Sequence, residues 1–179
     1  MSDNILNIAI VSGSPRSTSN TRIMMKFIYD HIKKKSQNTK FLDLSKVNIE
    51  TYRGNDRSYN EDTRLAIEIM IKSDIWFIGS PIYNSFFSSA LKNLFEFIDY
   101  KNTNGKVAGL AIMAAGKIGF INVHTLLVQL MTYFKVITNP KAVYMSSEMI
   151  KEDQIIFNEY KNRLKDLADT TLTLAKKIQ

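Results

Sequence analysis

A segment rich in hydroxyl side chains follows the first apolar run of the chain and holds the strongest candidates for ligand binding. Residues 12–21 read SGSPRSTSNT and include one arginine, Arg16. They lead into a predicted helix, whose first backbone N–H groups and dipole attract anions. Hydroxyl donors and a single guanidinium can bind a phosphate monoester. The segment therefore predicts a phosphate site; the alternative is a turn that only caps the helix through Ser19 or Asn20.

A second candidate segment, residues 79–99, reads GSPIYNSFFSSALKNLFEFID. Pro81 lacks an N–H and cannot continue a central strand, so we expect the chain to turn away from the sheet there. The turn would leave backbone donors and acceptors of residues 82–84 free for the edge of a flat heterocycle such as a flavin. Tyr83 and the following phenylalanines would offer aromatic surface beside it. The alternative is a helix-capping turn whose aromatic side chains pack in the core or in a subunit contact.

A third segment, residues 114–120, reads AAGKIGF. Its small residues and glycines allow the backbone to approach a ligand closely. Lys117 would place a positive charge near a bound ring or near a nicotinamide phosphate. An ordinary glycine turn with a solvated lysine is the other interpretation that the residues allow.

The elements that must position these segments alternate regularly along the chain. Short apolar runs of strand length are separated by stretches of helical period, a pattern typical of a doubly wound parallel sheet. In such sheets ligands bind outside the carboxyl ends of the strands, where all three segments lie. The predicted strands are residues 6–11, 39–43, 75–79, 107–114 and 142–145. The predicted helices are residues 20–35, 65–73, 89–100, 122–134 and 153–178. A long polar loop, residues 44–62, is expected to be functional or to lie at an interface.

Composition limits the classes of protein that fit. The 179 residues, 45% of them hydrophobic, predict a single domain over residues 1–179. Cysteine is absent and there are only two histidines, so we expect neither a thiolate nucleophile nor a metal site. No apolar run would span a bilayer and no signal peptide is recognisable, which favours the cytoplasm. The net charge of +7 suits anionic small ligands, and we expect neither a nucleic-acid nor a membrane partner.

The segments GSPRSTSNT, residues 13–21, and PIYNSFFSSALKN, residues 81–93, together resemble the NADPH-dependent FMN reductase family. The second matches the family pattern P-x-Y followed by a leucine-lysine pair, here Leu91 and Lys92. The resemblance implies a flavodoxin-like, five-stranded parallel sheet in the order 2-1-3-4-5 with helices on both faces. It also implies bound FMN, NADPH or NADH as co-substrate, and a homodimer or homotetramer. The electrons would pass to a small acceptor: free flavin, a quinone, an azo compound or a metal oxyanion.

The resemblance also assigns residues to the cofactor. Its phosphate binders fall on Ser14, Arg16, Ser19, Asn20 and Thr21. Its ring-contacting residues fall on Pro81, Ile82, Tyr83 and Asn84. Its last flavin loop falls on Ala115, Gly116 and Lys117. No residue is assigned as a general acid or base, because a bound flavin itself supplies the redox chemistry.

Two other functions remain open from the sequence. One is a flavodoxin-type electron carrier without nicotinamide turnover, against which the +7 charge and Arg16 argue, since flavodoxins are typically acidic and lack this arginine. The other is a flavin-binding module without catalytic activity. Reduction of the purified yellow protein by a nicotinamide would distinguish both from a reductase.

Overall fold

Strands form where the chain is continuously apolar, and helices form where apolar residues recur at helical spacing. A computed structural model describes residues 6–36, 38–54, 58–116 and 119–178. The strands are β1 (Ile8–Ser12), β2 (Thr39–Asp43), β3 (Ile75–Pro81), β4 (Val107–Ala114), β5 (Ile137–Thr138), β6 (Val143–Ser146), β7 (Ile150–Lys151) and β8 (Gln154–Ile155). The helices are α1 (Asn20–Lys33), α2 (Glu61–Lys72), α3 (Ser89–Glu96), α4 (Phe120–Tyr133) and α5 (Asn158–Ile178). Within those ranges, no helix has both the length and the apolar character needed to cross a bilayer.

The main sheet is parallel throughout and has the order β2-β1-β3-β4, followed by a position that β5 and β6 share. This confirms the predicted doubly wound topology, with one correction at the edge. A single strand was expected at residues 142–145, but β5 and β6 pair with opposite ends of β4. Asn139 and Pro140 separate them: the Asn139 N–H still donates to Ala108 O at 2.7 Å, whereas its side chain turns to Thr171 Oγ1 on α5 at 2.8 Å. Since Pro140 has no N–H to donate, the pairing resumes only at β6.

Each face of the sheet carries its own hydrophobic core. On one face, Ile10 and Phe77 pack with Met24 of α1 and Leu164 of α5. On the other face, Trp76 packs in a cluster with side chains of α2, α3 and α4. The residues of β3 are buried without exception, as expected for a strand that is covered on both faces.

Several element ends differ from the prediction, and local hydrogen bonds explain the differences. The helix α2 begins at Glu61 rather than Leu65, because the Asn60 side chain accepts from Thr63 N at 2.8 Å. The helix α3 stops at Glu96, and Asp99 caps a separate 3-10 turn through Lys101 N at 2.9 Å. The last helix begins at Asn158, since the preceding residues form the β7–β8 hairpin.

The long loop after β2 lies against α3 and the start of α2. The Asn93 side chain accepts from Tyr52 N and donates to Glu50 O, both at 2.9 Å. The rings of Tyr52 and Tyr59 meet the ring of Phe97 edge-on, with centroids 5.1 Å and 4.8 Å apart. No helix or strand forms between Leu44 and Asn60 among the residues described there. That this long loop is functional or lies at an interface stays a prediction.

Candidate functional site

Backbone contacts hold the first two candidate segments side by side at the carboxyl edge of the sheet. Gly13 N donates to Gly79 O at 2.8 Å, and the buried Ser88 hydroxyl donates to Gly13 O. A Cβ atom on Gly13 would lie 2.6 Å from Gly79 O, so only glycine allows this approach. The two segments that the sequence marks as ligand loops therefore meet at the edge where ligands bind in such sheets.

The first turn of α1 is open. Ser19 occupies the N-cap position in an extended conformation, yet its hydroxyl makes no capping hydrogen bond in the described structure. The first turn also contains no acidic residue. The alternative interpretation, a turn that only caps the helix through Ser19 or Asn20, is therefore not supported by the side-chain hydrogen bonds of the described structure. Backbone N–H groups of this turn remain available to an anion.

A buried hydroxyl lies below this open turn. Ser12 is the last residue of β1, and strand alternation puts its side chain on the face that α1 covers. Its Oγ atom is fully buried, and no residue in the described part of the chain bonds to it. Leaving a buried polar atom unpaired costs about 1–3 kcal/mol, so such atoms call for an explanation. Together with the open turn, it fits a ligand group with several acceptor oxygens, such as a phosphate.

The phosphate candidates Ser14 and Arg16 differ in exposure. Ser14 is buried; its Oγ accepts from Arg16 N at 3.3 Å and lies 3.2 Å from the Tyr83 hydroxyl. Arg16 is exposed, and its guanidinium has no ion-pair partner within the described ranges. Thr21 is buried in the first turn of α1, and Asn20 is half-buried there. The structure thus gathers all five candidates around one helix start.

The segment after β3 differs from its prediction. β3 continues through Pro81, which pairs with Met113, so the expected turn away from the sheet at Pro81 is wrong. Gly79 O faces the β1 side and Ile82 N faces β4, so alternation turns Pro81 toward the β1 side. There β1 has already ended at Ser12, and the missing N–H of the proline interrupts no ladder.

The next residues form a tight hairpin. Tyr83 and Phe86 exchange two backbone hydrogen bonds of 2.9 Å, across Asn84 and Ser85 with φ of 48° and 62°. These are the positive angles of a type I′ turn. The expectation of free backbone groups is therefore wrong for the N–H of Ile82 and for the N–H and carbonyl of Tyr83, which are all hydrogen-bonded within the protein. Of the three expected residues, the exposed Asn84 at the tip of the hairpin is the one left for a ligand.

The aromatic side chains of this hairpin lie in different environments. The Phe87 ring is buried at 5% exposure and belongs to the core, whereas Phe86 is 45% exposed. Their ring centroids are 4.7 Å apart, so buried Phe87 supports exposed Phe86. Tyr83 is half-buried beside Ser14. The hairpin therefore presents Phe86, and not Phe87, as a surface for a flat ligand.

The third candidate loop is described only in part. Ala115 and Gly116 are exposed, while Lys117 lies outside the described residues. Gly119, with φ of 93°, is the N-cap residue of α4; a Cβ there would be 3.5 Å from Ile82 Cγ2. This loop therefore borders the hairpin after β3.

A fourth loop reaches the same edge, and the sequence interpretation did not single it out. After β6, the Ser147 hydroxyl donates to Ala115 O at 2.8 Å. The run Ser-Ser-Glu directly after the fifth predicted strand was the available signal. It was missed because no ligand motif marks it.

An aromatic group beside α4 was missed too. The Tyr144 ring lies 5.5 Å from Phe120 and 5.8 Å from His124, measured between centroids. Burial lowers the pKa of His124 below its usual value, so the imidazole is neutral at pH 7. Burial raises the pKa of Tyr144, partly opposed by Arg163. Both side chains therefore stand uncharged near the third loop.

Comparisons with known proteins bear on the family and on the fold. Residues 6–149 match the family model described as NADPH-dependent FMN reductase. The chain is 30% identical over 129 residues to the NAD(P)H-dependent FAD/FMN reductase of Geobacillus thermodenitrificans (strain NG80-2), covering 71% of this chain and 70% of that protein. It is 23% identical over 176 residues to the NADH-dependent FMN reductase SfnF of Pseudomonas putida, covering 95% and 93%. The solved flavoenzyme NAD(P)H:(acceptor) oxidoreductase FerB from Paracoccus denitrificans shares the fold, with a TM-score of 0.75, 19% identity, and coverage of 97% and 98%.

Proposed function

The chain belongs to the NADPH-dependent FMN reductase family, and we propose that its FMN lies at the carboxyl edge of the sheet with the phosphate at the start of α1. As an NAD(P)H-dependent flavin reductase it acts on small-molecule acceptors. We propose that the acceptor is a flat or compact oxidant: free flavin, a quinone, an azo compound or a metal oxyanion. The observation that carries the placement is the uncapped first turn of α1 above the unpaired Ser12 hydroxyl.

On the phosphate side, we assign binding to Ser14, Arg16, Ser19, Asn20 and Thr21. The Arg16 guanidinium supplies the charge, and the first N–H groups of α1 supply directed donors. Ser14 accepts from Arg16 N, and with the Tyr83 hydroxyl donating to it, Ser14 keeps its own proton for a phosphate oxygen. The Ser14–Tyr83 contact would then connect the phosphate loop to the ring loop.

On the ring side, we assign contacts to Pro81, Ile82, Tyr83 and Asn84 and to the third loop, Ala115, Gly116 and Lys117. Asn84 offers backbone groups at the hairpin tip, and Ile82 offers an apolar edge beside Gly119. The part of Lys117 stays a prediction. Bound FMN would supply the redox chemistry between the reduced nicotinamide and the acceptor. The chain orients both reactants, and we assign no general acid or base.

We also propose that the chain is one flavin-binding domain that assembles as a homodimer or homotetramer. The helix α4 contains no Asp, Glu, Lys or Arg, and it exposes Ile121 at 78% and Tyr133 at 63%. Exposed apolar surface of this kind marks contacts between proteins. A charge-free helix suits two identical chains that each carry +7. Cytoplasmic location stays a prediction.

Three measurements test the proposed function. An absorbance spectrum of the reconstituted protein should show stoichiometric FMN, and stopped-flow mixing with NADPH or NADH should bleach it within the turnover time. Steady-state rates with menadione, an azo dye, riboflavin and ferricyanide should then differ by less than about a thousandfold, because stacking and apolar contact discriminate only modestly. A flavin that neither nicotinamide reduces would instead indicate an electron carrier or a module without catalytic activity.

A further inference from the structure

A side-chain hydrogen bond joins the third candidate loop to the fourth loop, residues 147–149. The Ser147 hydroxyl donates to Ala115 O at 2.8 Å. Ser147 follows β6, and Ala115 follows β4, the strand with which β6 pairs. The bond therefore fixes the orientation of the peptide group between Ala115 and Gly116, which belongs to the loop that we assign to the flavin ring.

The fourth loop is held in place by contacts of its own. Ser146, the buried last residue of β6, donates from its N–H to Met149 Sδ at 3.4 Å and from its hydroxyl to Glu148 Oε1 at 3.0 Å. Met149 O accepts from Ile156 N at 3.0 Å, which connects the loop to the end of the β7–β8 hairpin. Gly116, by contrast, faces open space, since a Cβ there would have no atom of the described structure within 4 Å. The fourth loop is therefore the fixed side of the Ser147 bond, and the third loop is the side whose conformation it determines.

Strand alternation alone would orient the peptide group after Ala115 the other way. In a parallel sheet, the carbonyl groups of residues two apart point to the same neighbouring strand. Met113 O points toward β3, where it accepts from Ile82 N at 2.9 Å. An extended chain would point Ala115 O toward β3 as well, but the chain bends at Ala115 and Ser147 binds this carbonyl from the β6 side. The hydrogen bond thus keeps a carbonyl oxygen away from the side of the ring hairpin, residues 82–86.

The same peptide group presents a donor to the ring hairpin. In a planar trans peptide the C=O and N–H bonds point in opposite directions, so the Gly116 N–H points away from the fourth loop. Because β3 and β6 flank β4 on opposite sides, this is the side on which the ring hairpin lies. The Gly116 N–H has no acceptor among the residues that the structure describes. It is therefore available to a carbonyl oxygen of a ring bound between the hairpin and the third loop.

We propose that Ser147 is a positioning residue for the flavin ring, because it turns the peptide group so that the Gly116 N–H, and not Ala115 O, faces the pyrimidine end of FMN. The inference rests on the proposed function, which places the ring between the ring hairpin and the third loop. The carbonyl oxygens of a flavin lie at its pyrimidine end, and reduction adds electron density there. A donor at this end stabilises reduced FMN more than oxidised FMN, whereas a carbonyl oxygen would do the opposite. Ser147 thereby raises the midpoint potential of the bound flavin without contacting it.

The test is the two-electron midpoint potential of FMN bound to the full-length protein, measured by equilibration with a reference dye. Ser147→Ala should weaken the binding of reduced FMN about tenfold relative to oxidised FMN, as expected for the loss of one directed hydrogen bond. For a two-electron couple this lowers the potential by about 30 mV. Ser147→Thr, which keeps a hydroxyl, should retain the wild-type potential.

The matched control is Ser73→Ala, which removes a hydrogen bond of the same kind far from the proposed site. The Ser73 hydroxyl donates to Ile69 O at 2.7 Å, at the end of α2 and at the opposite edge of the sheet. The flavin potential of this variant should equal that of the wild type.

Gly116→Pro tests the donor itself, because proline has no N–H. Its flavin potential should fall in the same direction although Ser147 is intact. Adding Ser147→Ala to this variant should lower the potential no further, since both changes remove the same contact. The proline variant keeps the test decisive if Ser147→Ala does not fold.

Three results would overturn the inference. The first is a Ser147→Ala protein that binds FMN at the wild-type potential, and the second is a Gly116→Pro protein that does so. The third is a shift in Ser147→Thr or Ser73→Ala as large as that in Ser147→Ala. All three leave the proposed function intact, since FMN is still bound and reduced. Wild-type protein that binds no FMN would refute the proposed function, and the role of Ser147 with it.

Discussion

The helices α1 and α3 both begin at the carboxyl edge of the sheet, on opposite faces, but of the two only α3 has its first turn capped by a serine side chain. Ser88 accepts from Leu91 N at 3.1 Å and donates to Gly13 O, and it is fully buried. Ser19 occupies the corresponding position of α1 and caps nothing among the described residues. Serine thus occupies the N-cap position of both helices, but its hydroxyl caps the helix in α3 and does not in α1.

The difference distinguishes a helix start with a structural role, that of α3, from one that is available to a ligand, that of α1. Closing α3 fixes the ring hairpin against the phosphate loop, since the Ser88 bond to Gly13 joins the two segments. Leaving α1 open forgoes the stability that a cap contributes, typically about 1 kcal/mol. Sites that must bind ligands commonly retain such unsatisfied features. Changes at α3 should therefore lower stability, whereas changes at α1 should lower FMN affinity.

The largest effect is expected for Ser88→Ala. The change removes the cap of α3 and leaves the buried carbonyl of Gly13 without its donor, so unfolding of the apoprotein should become easier by roughly 2–4 kcal/mol. Urea denaturation measures this. The neighbouring exposed Ser89→Ala serves as control and should stay within about 0.5 kcal/mol of wild type. A Ser88→Ala variant as stable as the wild type would contradict the claim that the Ser88 hydroxyl stabilises the start of α3.

Arg16→Ala should lower FMN affinity and leave the stability of the apoprotein unchanged. FMN affinity should fall roughly ten- to a hundredfold, about 1.5–3 kcal/mol, because a charge-assisted phosphate contact is lost. Apoprotein stability should not change, since the guanidinium has no ion-pair partner in the ranges described. Titration of the apoprotein with FMN tests this, with the exposed Arg64→Ala on α2 as control. Lys117→Ala should weaken FMN less, and equal losses would show that the phosphate loop is misassigned.

The far end of α1 gives a smaller, pH-dependent effect. His31 and Lys35 donate to Asp169 of α5 at 2.8 Å and 2.7 Å. Burial raises the pKa of Asp169, but these hydrogen bonds outweigh it and hold the pKa below its ordinary value. The stabilisation is therefore complete above the unfolded pKa of about 3.9 and is lost as the pH falls through the folded value.

Asp169→Asn should accordingly lower stability by about 0.5–1 kcal/mol at pH 7, because the pair is partly exposed and screened by solvent. In acid denaturation series, the gap between mutant and wild type should close as the pH falls below about 3.9. Glu159→Gln, an exposed acidic residue of α5, is the control. A gap that persists in acid would show that the change disturbs packing rather than charge.

The smallest effect concerns the hairpin between the two helix starts. Ser85 has φ of 62°, a conformation that disfavours side chains with a Cβ by about 1–2 kcal/mol, while glycine loses about 0.5–1 kcal/mol of chain entropy. Ser85→Gly should therefore raise apoprotein stability by about 0.5 kcal/mol in urea. Ser89→Gly, in the first turn of α3, should lower it. Loss of stability in both would indicate that Ser85 makes a favourable contact that outweighs its backbone strain.

Local patterning predicted a doubly wound parallel sheet and the loops that meet at its edge, whereas the order of the strands came from the resemblance to the family. Continuous apolar runs such as Ile75–Ile78, alternating with stretches of helical period, indicate strands that are covered on both faces. The prediction that the chain leaves the sheet at Pro81 was wrong because a proline interrupts a strand only where a neighbouring strand needs its N–H. Which neighbouring strand has already ended depends on strand pairing, and the residue type does not show it. The division between β5 and β6 depends on Asn139 reaching Thr171 across 32 residues, which no local pattern shows.

The candidate site was only partly predictable for the same reason. Residue types named the hydroxyl loop, but a serine at an N-cap position looks identical whether it caps or not. The unpaired Ser12 hydroxyl is recognisable only from three-dimensional burial. Ser147 and the His124–Tyr144 pair reach the edge through β6 and α4, which the sequence does not connect to the ligand loops.

The central claim is that the open start of α1 binds the phosphate of the flavin. The most direct measurement compares FMN with riboflavin, which lacks only that phosphate, by calorimetric titration of the wild-type and Arg16→Ala apoproteins. Wild-type protein should prefer FMN about a hundredfold or more, roughly 2.7 kcal/mol or above, and Arg16→Ala should reduce this preference at least tenfold. Equal affinity of the wild-type protein for riboflavin and FMN would contradict the claim.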